Sequence, residues 1–174
     1  MIRGKFFNSL DRPEEIFAIR RRVFVDELGL PAELEADRHD DMAVYALVLD
    51  ERDAPAGTGR MYIDDDGHFV IGRVCTLPEM RGKYLGDLLM RMLLYRAQEL
   101  HAPAVYLTAP VDCVSFFSRY GFKPAGRVIE DALGPQRFMC VPAEEIDIEG
   151  SCGGKHGCAG CQKDCAECGE GRES

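Results

Sequence analysis

The chain has 174 residues, of which 30 are acidic and 21 are basic, so its formal net charge is -9. This length accommodates one globular domain of ordinary size with a short appendage. No stretch approaches the roughly 18 to 20 uninterrupted apolar residues of a membrane span, and the first residues lack the apolar segment of a secretory signal. We therefore expect a cytoplasmic protein with no membrane partner, and the acidic balance argues against a nucleic-acid partner.

Charge and cysteine are concentrated near the C-terminal end. Residues 143–174 hold eight acidic and three basic residues, and five of the eight cysteines of the chain. Apart from alanine and cysteine, their only apolar side chains are Ile146 and Ile148, too few to offset the entropy of ordering a chain. The sequence predicts a folded body over residues 1–142 and an acidic, cysteine- and glycine-rich tail over residues 143–174.

The first half of the body predicts one helix and three strands. Apolar residues recur at helical spacing over residues 13–28, after an early proline and two acids. The segment from Glu27 to Asp41 contains six acids and little apolar content, which indicates a solvated loop with a strongly negative local field. Alternating apolar and β-branched residues then predict strands over residues 44–50, 57–64 and 68–77.

The second half contains the most informative segment. Leucine, methionine and alanine recur at steps of three and four residues from Leu85 to Leu100, which predicts a long helix that begins close to Gly86 and ends before Pro103. The preceding turn, RGKYLG, carries glycines and two cations. A helix N-terminus behind such a turn is a typical anion site, because unpaired amides and the helix dipole both favour negative charge. A plain strand-to-helix turn would have the same pattern.

A strand over 104–109, a short helix over 111–122 and two closing strands, 123–129 and 135–141, complete the body. The predicted fold class is α/β (α+β), with a mixed, largely antiparallel sheet flanked by helices.

Three segments of the body resemble the GNAT (GCN5-related) N-acetyltransferase superfamily. They are IRRRVFVDELGLPAELEADRHDD near the start, IGRVCTLPEMRGKYLGDLLM in the middle and SFFSRYGFKPAGRVIEDALGPQRFM at the end. Their order and spacing look most like the small bacterial ElaA-type branch. The resemblance implies an enzyme that transfers an acetyl group from acetyl-CoA to a primary amine of a small molecule or peptide, with a homodimer as a possible assembly.

The same resemblance implies a binding site for acetyl-CoA. The pyrophosphate would lie on the turn before the long helix, and the pantetheine arm would run beside the strand that precedes this turn. The residues implied are Val74, Cys75, Thr76, Arg81, Gly82, Lys83, Tyr84, Leu85 and Gly86. The turn departs from the family pattern at Tyr84, where the family usually has a glycine, and Pro110 stands where relatives tend to carry an amide side chain.

Candidate catalytic residues are Glu27, Asp41 and Tyr120. Glu27 is the preferred general base because it ends an apolar helix, where we expect it to be partly buried. Asp41 belongs to the acidic segment that could attract an amine. Phe117 occupies the position where the family commonly has a tyrosine general acid, so either Tyr120 or water supplies a proton, or the thiolate leaves without a dedicated acid.

The cysteines of the tail are a separate feature. Cys158, Cys161, Cys165 and Cys168 form two C-x-x-C pairs that are three residues apart. Four thiols suffice for one zinc ion or one iron–sulfur cluster, although most zinc sites separate such pairs by a dozen or more residues. Redox-sensitive or metal-scavenging thiols, or no function, remain the alternatives.

The sequence also allows two other functions. One is a catalytically weak CoA-binding module that senses metal or redox state through its tail. The departures from the family pattern at Tyr84, Pro110 and Phe117 are the reason to consider it. The other is an acyl-homoserine-lactone synthase-like enzyme, which shares the fold. The glycine-bearing turn and the absence of tryptophan argue against the second.

Overall fold

The computed structural model describes residues 1–11 and 13–149, and it confirms the predicted mixed, largely antiparallel sheet. Seven strands follow the spatial order β1-β2-β3-β4-β5-β7-β6, and β4 with β5 is a parallel pair while the other neighbours are antiparallel. The strands are β1 (Arg3–Asn8), β2 (Val44–Leu49), β3 (Pro55–Ile63), β4 (Phe69–Thr76), β5 (Ala104–Pro110), β6 (Lys123–Asp131) and β7 (Gly134–Pro142).

Helices cover both faces of this sheet. They are α1 (Glu14–Arg20), α2 (Ala32–Glu35), α3 (Leu85–Glu99) and α4 (Val114–Ser118), and short 3-10 turns lie at Arg38–Asp41, Pro78–Met80, Val111–Cys113 and Ala143–Glu145. The apolar stripe of α3 packs on one face, in a buried cluster with Val105, Leu107 and Met139. Helix α1 packs on the other face, where Ile16 and Ile19 meet Tyr45 and Leu47 of β2.

The first helix departs from the expected regular geometry. Residues Arg21–Glu27 continue α1 as a π-helical stretch, in which backbone bonds span five residues instead of four. Such insertions are rare and often accompany functional sites. The stretch ends beside the turn that precedes α3, because Glu27 at its last position contacts Arg81.

The segment expected to be a solvated acidic loop is ordered. It contains α2 and the 3-10 turn Arg38–Asp41, whose N-cap Asp37 forms a reciprocal capping box with Asp40. Both Glu35 and Asp40 are buried. The expectation of a solvated acidic segment is therefore wrong for these two residues, since arginines from α1 and the sheet lie beside them.

Strands β4 and β5 separate along their length. They pair only at Phe69 with Val105 and at Val70 with Tyr106. A bulge interrupts the pairing of β4 with β3 opposite Gly59, and Arg73 at this bulge has a positive φ of 52°. Bulges bend and twist a strand, so the second half of β4 leads away from β5. The result is a wedge-shaped opening in the middle of the sheet.

Residues 143–149 lie against the body. The 3-10 turn Ala143–Glu145 follows β7 directly, and Ile146 and Ile148 pack on the α3-side cluster. A side chain at Gly121, whose φ is 93°, would collide with the carbonyl oxygen of Glu145. The domain boundary at 142 stays a prediction, and most of the predicted tail lies outside the described residues. None of the described helices is both long and apolar enough to cross a membrane.

Candidate active site

The opening between β4 and β5 contains the three strand residues expected to flank a CoA arm. Val74, Cys75 and Thr76 lie in the half of β4 that has left β5, so one edge of their backbone is not used by the sheet. Cys75 points to the α1 face, where burial raises the pKa of its thiol to about 12. The thiol is therefore protonated at neutral pH and is a packing group, while the backbone of this stretch is what a ligand would meet.

The N-terminus of α3 lies at the end of this opening. Tyr84 caps the helix in the left-handed conformation, with φ 60°, and Gly82 has φ 73°. Leu88 donates the first backbone bond, to the carbonyl oxygen of Tyr84, so the amides of Leu85 and Gly86 precede the bonded part of the helix. The turn thus adapts to Tyr84 by a strained backbone, and half of the tyrosine side chain faces solvent.

Two ion pairs join this turn to the π-helical stretch. Glu27 accepts two hydrogen bonds from the guanidinium of Arg81, with N···O distances of 2.6 and 2.7 Å. Glu79 accepts a similar pair from Arg22, at 2.9 and 3.2 Å. The predicted base and one predicted phosphate ligand are therefore in direct contact, and 32% of the Glu27 side chain remains exposed.

Tyr120 is held away from solvent by a carboxylate. Its hydroxyl donates to Asp87 in the first turn of α3 at 2.6 Å, and the residue is fully buried. Burial, together with the hydrogen bond and charge of Asp87, raises the pKa of Tyr120 above its usual range. Asp87 also accepts from Arg91 at 2.7 Å. This arrangement ties the end of α4 to the start of α3.

A buried charge network lies on the α1 face. Arg20 donates from Nε to Glu35 at 2.6 Å and from Nη1 to Asp40 at 2.7 Å, and it is 1% exposed. Arg60 of β3 donates to Asp37 at 2.6 and 2.9 Å and also contacts Asp40 at 2.7 Å. We call Arg20, Glu35, Asp37, Asp40, Arg60 and Arg73 the arginine–carboxylate network.

Arg73 at the bulge completes the network through the backbone of α2. Its guanidinium donates to the carbonyl oxygens of Leu34 and Glu35 at 2.9 and 3.1 Å. Three arginines therefore meet three carboxylates, so the expected strong negative field is largely neutralised at this point of the acidic segment.

The network sets the proton affinity of its carboxylates. Burial alone would raise the pKa of Asp40, but the hydrogen bonds and charges of Arg20 and Arg60 outweigh it and hold this pKa well below its usual range. The pKa of Asp37 is also lowered, since Arg60 outweighs its burial. These two carboxylates are consequently ionised at neutral pH and poor proton acceptors.

The remaining predicted site residues lie apart from this network or outside the described chain. Asp41 is exposed at the end of the 3-10 turn. Lys83 is exposed, and its Nζ approaches Met80 Sδ at 3.7 Å. The predicted metal ligands Cys158, Cys161, Cys165 and Cys168 fall outside the described residues, so metal binding by the tail stays a prediction.

Sequence reasoning missed the arginine–carboxylate network as a unit. Its acids are close in sequence, but Arg60 and Arg73 come from strands 20 to 40 residues further on. The available signal was the occurrence of arginines inside apolar strands, because a lone buried charge is too costly to be left without a partner.

Comparisons with known proteins agree with this geometry. The sequence model of the acetyltransferase (GNAT) family matches residues 10–122. A Bacillus subtilis protein, the uncharacterized N-acetyltransferase YjcF, is 30% identical over 110 residues, which are 63% of this chain and 77% of that protein.

Solved structures give the same result. ElaA of Escherichia coli superposes with a TM-score of 0.73 at 26% identity, over 81% of this chain and 99% of that one. An acyl-CoA N-acyltransferase of Pseudomonas aeruginosa gives 0.73 at 25% identity, again over 81% and 99%. The two alternatives, a CoA-binding sensor and an acyl-homoserine-lactone synthase-like enzyme, are not favoured. The chain belongs to the GNAT family of acetyltransferases, a fold family that uses acyl-CoA.

Proposed function

We propose that this protein transfers an acetyl group from acetyl-CoA to a primary amine of a small molecule or peptide. The observation that carries the proposal is the opening between β4 and β5 beside the N-terminus of α3. A strand edge that the sheet leaves unused can hydrogen-bond the amides of a pantetheine arm. The amides of Leu85 and Gly86, with the helix dipole, suit its phosphates.

The residues around the opening fit the ligand. Val74, Cys75 and Thr76 would offer backbone groups to the arm, and the turn from Arg81 to Gly86 would hold the pyrophosphate. Gly86 leaves space there: a Cβ at this position would have Phe116 Cζ as its nearest neighbour, at 3.6 Å. No side chain of the turn has to supply covalent chemistry, because acetyl-CoA itself supplies the activated thioester carbonyl.

The proposed transfer is a direct attack. The acceptor nitrogen bonds to the thioester carbonyl carbon, the carbon–sulfur bond breaks, and the sulfur leaves with the electron pair. The nitrogen gives up one proton, which Glu27 accepts directly or through water. In the structure Arg81 occupies both oxygens of Glu27, so Glu27 becomes a better base if the guanidinium turns towards the phosphates.

Protonation of the leaving sulfur does not require a dedicated acid from the protein. A thiol with a pKa near 8.5 is a tolerable leaving group at neutral pH. Tyr120 as the acid stays a prediction, but its contact with Asp87 favours a positioning role, since both burial and that contact oppose loss of its proton. Asp41 remains a second candidate base because its exposed position lets it meet an amine.

The proposal is tested by acetyl-CoA titration calorimetry followed by turnover with a panel of primary amines. Released CoA should be measured by chromatography, since the tail cysteines would react with thiol reagents. Saturable acetyl-CoA binding together with formation of an N-acetyl product supports the proposal. Binding without any product would restore the sensor hypothesis, and absence of binding would contradict both.

A further inference from the structure

Gln136, near the start of β7, has a buried amide nitrogen that the described part of the fold does not use. Only 3% of the residue is exposed, and within the described residues its Nε2 has no hydrogen-bond partner. Leaving a buried N–H group unpaired is costly, so few such groups occur in native structures. Arg60 Nε and Arg96 Nε are also unpaired, but the guanidinium of each has other partners.

The register places Gln136 beside the opening. It lies directly across from Pro110, the last residue of β5, where β4 and β5 are no longer paired. The pairing of β5 with β7 is continuous, so side chains alternate along β7, and Met139 belongs to the α3-side cluster. Gln136 therefore lies on the opposite face, the α1 face, and Leu133 at the hairpin tip also packs against the α1-side cluster.

The two substrates must approach the thioester carbon from different directions. Helix α3, whose N-terminus suits the phosphates, packs on the face opposite to Gln136. The amine would consequently approach from the α1 face, between the arginine–carboxylate network and the β6–β7 hairpin. Gln136 has a buried hydrogen-bond donor on this side, and such a donor needs an acceptor atom from its ligand, for which a carbonyl oxygen is well suited.

We propose that Gln136 is a specificity-determining residue whose Nε2 donates a hydrogen bond to a carbonyl oxygen of the acceptor. The acceptor class is thus a primary amine that also carries a carbonyl oxygen. This inference rests on the proposed acetyl transfer. A site with a buried donor discriminates against an analogue that lacks the oxygen, because the donor then stays unpaired.

The test compares two acceptors, glycinamide and propylamine, in wild type and Gln136→Leu, with kcat and KM followed by chromatography of CoA. We expect wild type to prefer glycinamide and Gln136→Leu to lower its kcat/KM about tenfold, with less than about threefold change for propylamine. Acetyl-CoA affinity should be unchanged, and the unliganded variant should melt no lower than wild type.

Each outcome has a distinct meaning. Three outcomes would overturn the role of Gln136 and leave the proposed function intact. They are a wild type that acetylates propylamine as well as glycinamide, a Gln136→Leu variant that loses equal activity on both amines, and weakened acetyl-CoA binding by that variant. A lower melting temperature for Gln136→Leu would overturn the role in specificity, because it would show that the side chain stabilises the fold. Failure of wild type to acetylate either amine, or any other member of the amine panel, would overturn the proposed function and this inference with it.

Discussion

Polar groups are paired on the α1 face of the sheet but left unused in the opening between β4 and β5. On the α1 face, Arg20 and Asp40 are almost completely buried and are joined by hydrogen bonds of 2.7 and 3.1 Å. In the opening between β4 and β5, the edge of β4 is not used by the sheet, and the amides of Leu85 and Gly86 precede the bonded part of α3. Paired buried charges stabilise the fold, whereas unused polar groups beside an opening are available to a ligand.

In a GNAT-like chain, polar groups that lack a partner within the fold are therefore better candidates for ligand binding than polar groups that are already paired. The acids of the network are the more conspicuous in sequence, yet their oxygens already have partners. Glu27 connects the two regions, because it ends the helix of the α1 face and contacts Arg81 of the turn before α3. Variants on each side should therefore separate loss of stability from loss of ligand binding.

The largest effect is expected from Asp40→Asn. The variant leaves Arg20 and Arg60 partly uncompensated in the interior, and breaking a buried pair in this way costs about 3–5 kcal/mol. Urea denaturation should show this loss as a lower midpoint. Asp65→Asn is the matched control, since it removes one exposed partner of Arg38 and should cost less than about 1 kcal/mol. Equal losses for the two variants would mean that the network does not stabilise the fold.

The next effect is expected from Glu27→Gln. If Glu27 accepts the proton of the amine, kcat should fall at least about 100-fold, while acetyl-CoA affinity stays similar or improves as Arg81 is released. Glu79→Gln breaks the parallel ion pair to Arg22 and should leave kcat within about threefold. If Glu27→Gln and Glu79→Gln have the same kcat, Glu27 is not the general base, and Asp41 or water would take that role.

Local patterns predicted most of the elements but not the network. Strand β1 and the short helix α2 were not predicted, whereas the other six strands and α3 follow from short-range alternation and helical spacing, which the structure confirms within one or two residues. The burial of Glu35 and Asp40 could not be predicted in the same way, because it depends on arginines that β3 and β4 bring from far along the chain. The π-helical stretch was missed because the apolar spacing of Val23 and Phe24 suits either helix.

The sequence likewise predicted part of the candidate site. The turn at Gly86 and the strand at Val74 follow from residue types that must lie together in sequence. Gln136 could not be singled out, because its proposed role depends on its register with Pro110 and on the separation of β4 from β5. Pairing register and burial are properties of the assembled sheet.

A smaller effect is expected from Gly86→Glu. The carboxylate would stand among the amides proposed for the pyrophosphate, so acetyl-CoA should bind about tenfold or more weakly by calorimetry. Gly86→Ala is the control, because its methyl group would be in ordinary contact with Phe116 and φ at this position is not positive. The alanine variant should bind as wild type does. Unchanged affinity in Gly86→Glu would mean that the phosphates bind elsewhere.

The smallest effect is expected in the acid dependence of stability. The pKa of Asp40 lies below its unfolded value, so this group stabilises the fold above about pH 3.9 and loses that contribution as pH falls towards its folded pKa. Within this interval the unfolded chain binds the extra proton, and stability falls by about 1.4 kcal/mol per pH unit for one such group. Between pH 3.5 and 2.5, the unfolding free energy of Asp40→Asn should therefore decline less steeply than that of wild type. Asp65→Asn should follow the wild-type slope, and parallel curves for all three proteins would mean that Asp40 is not held ionised by the network.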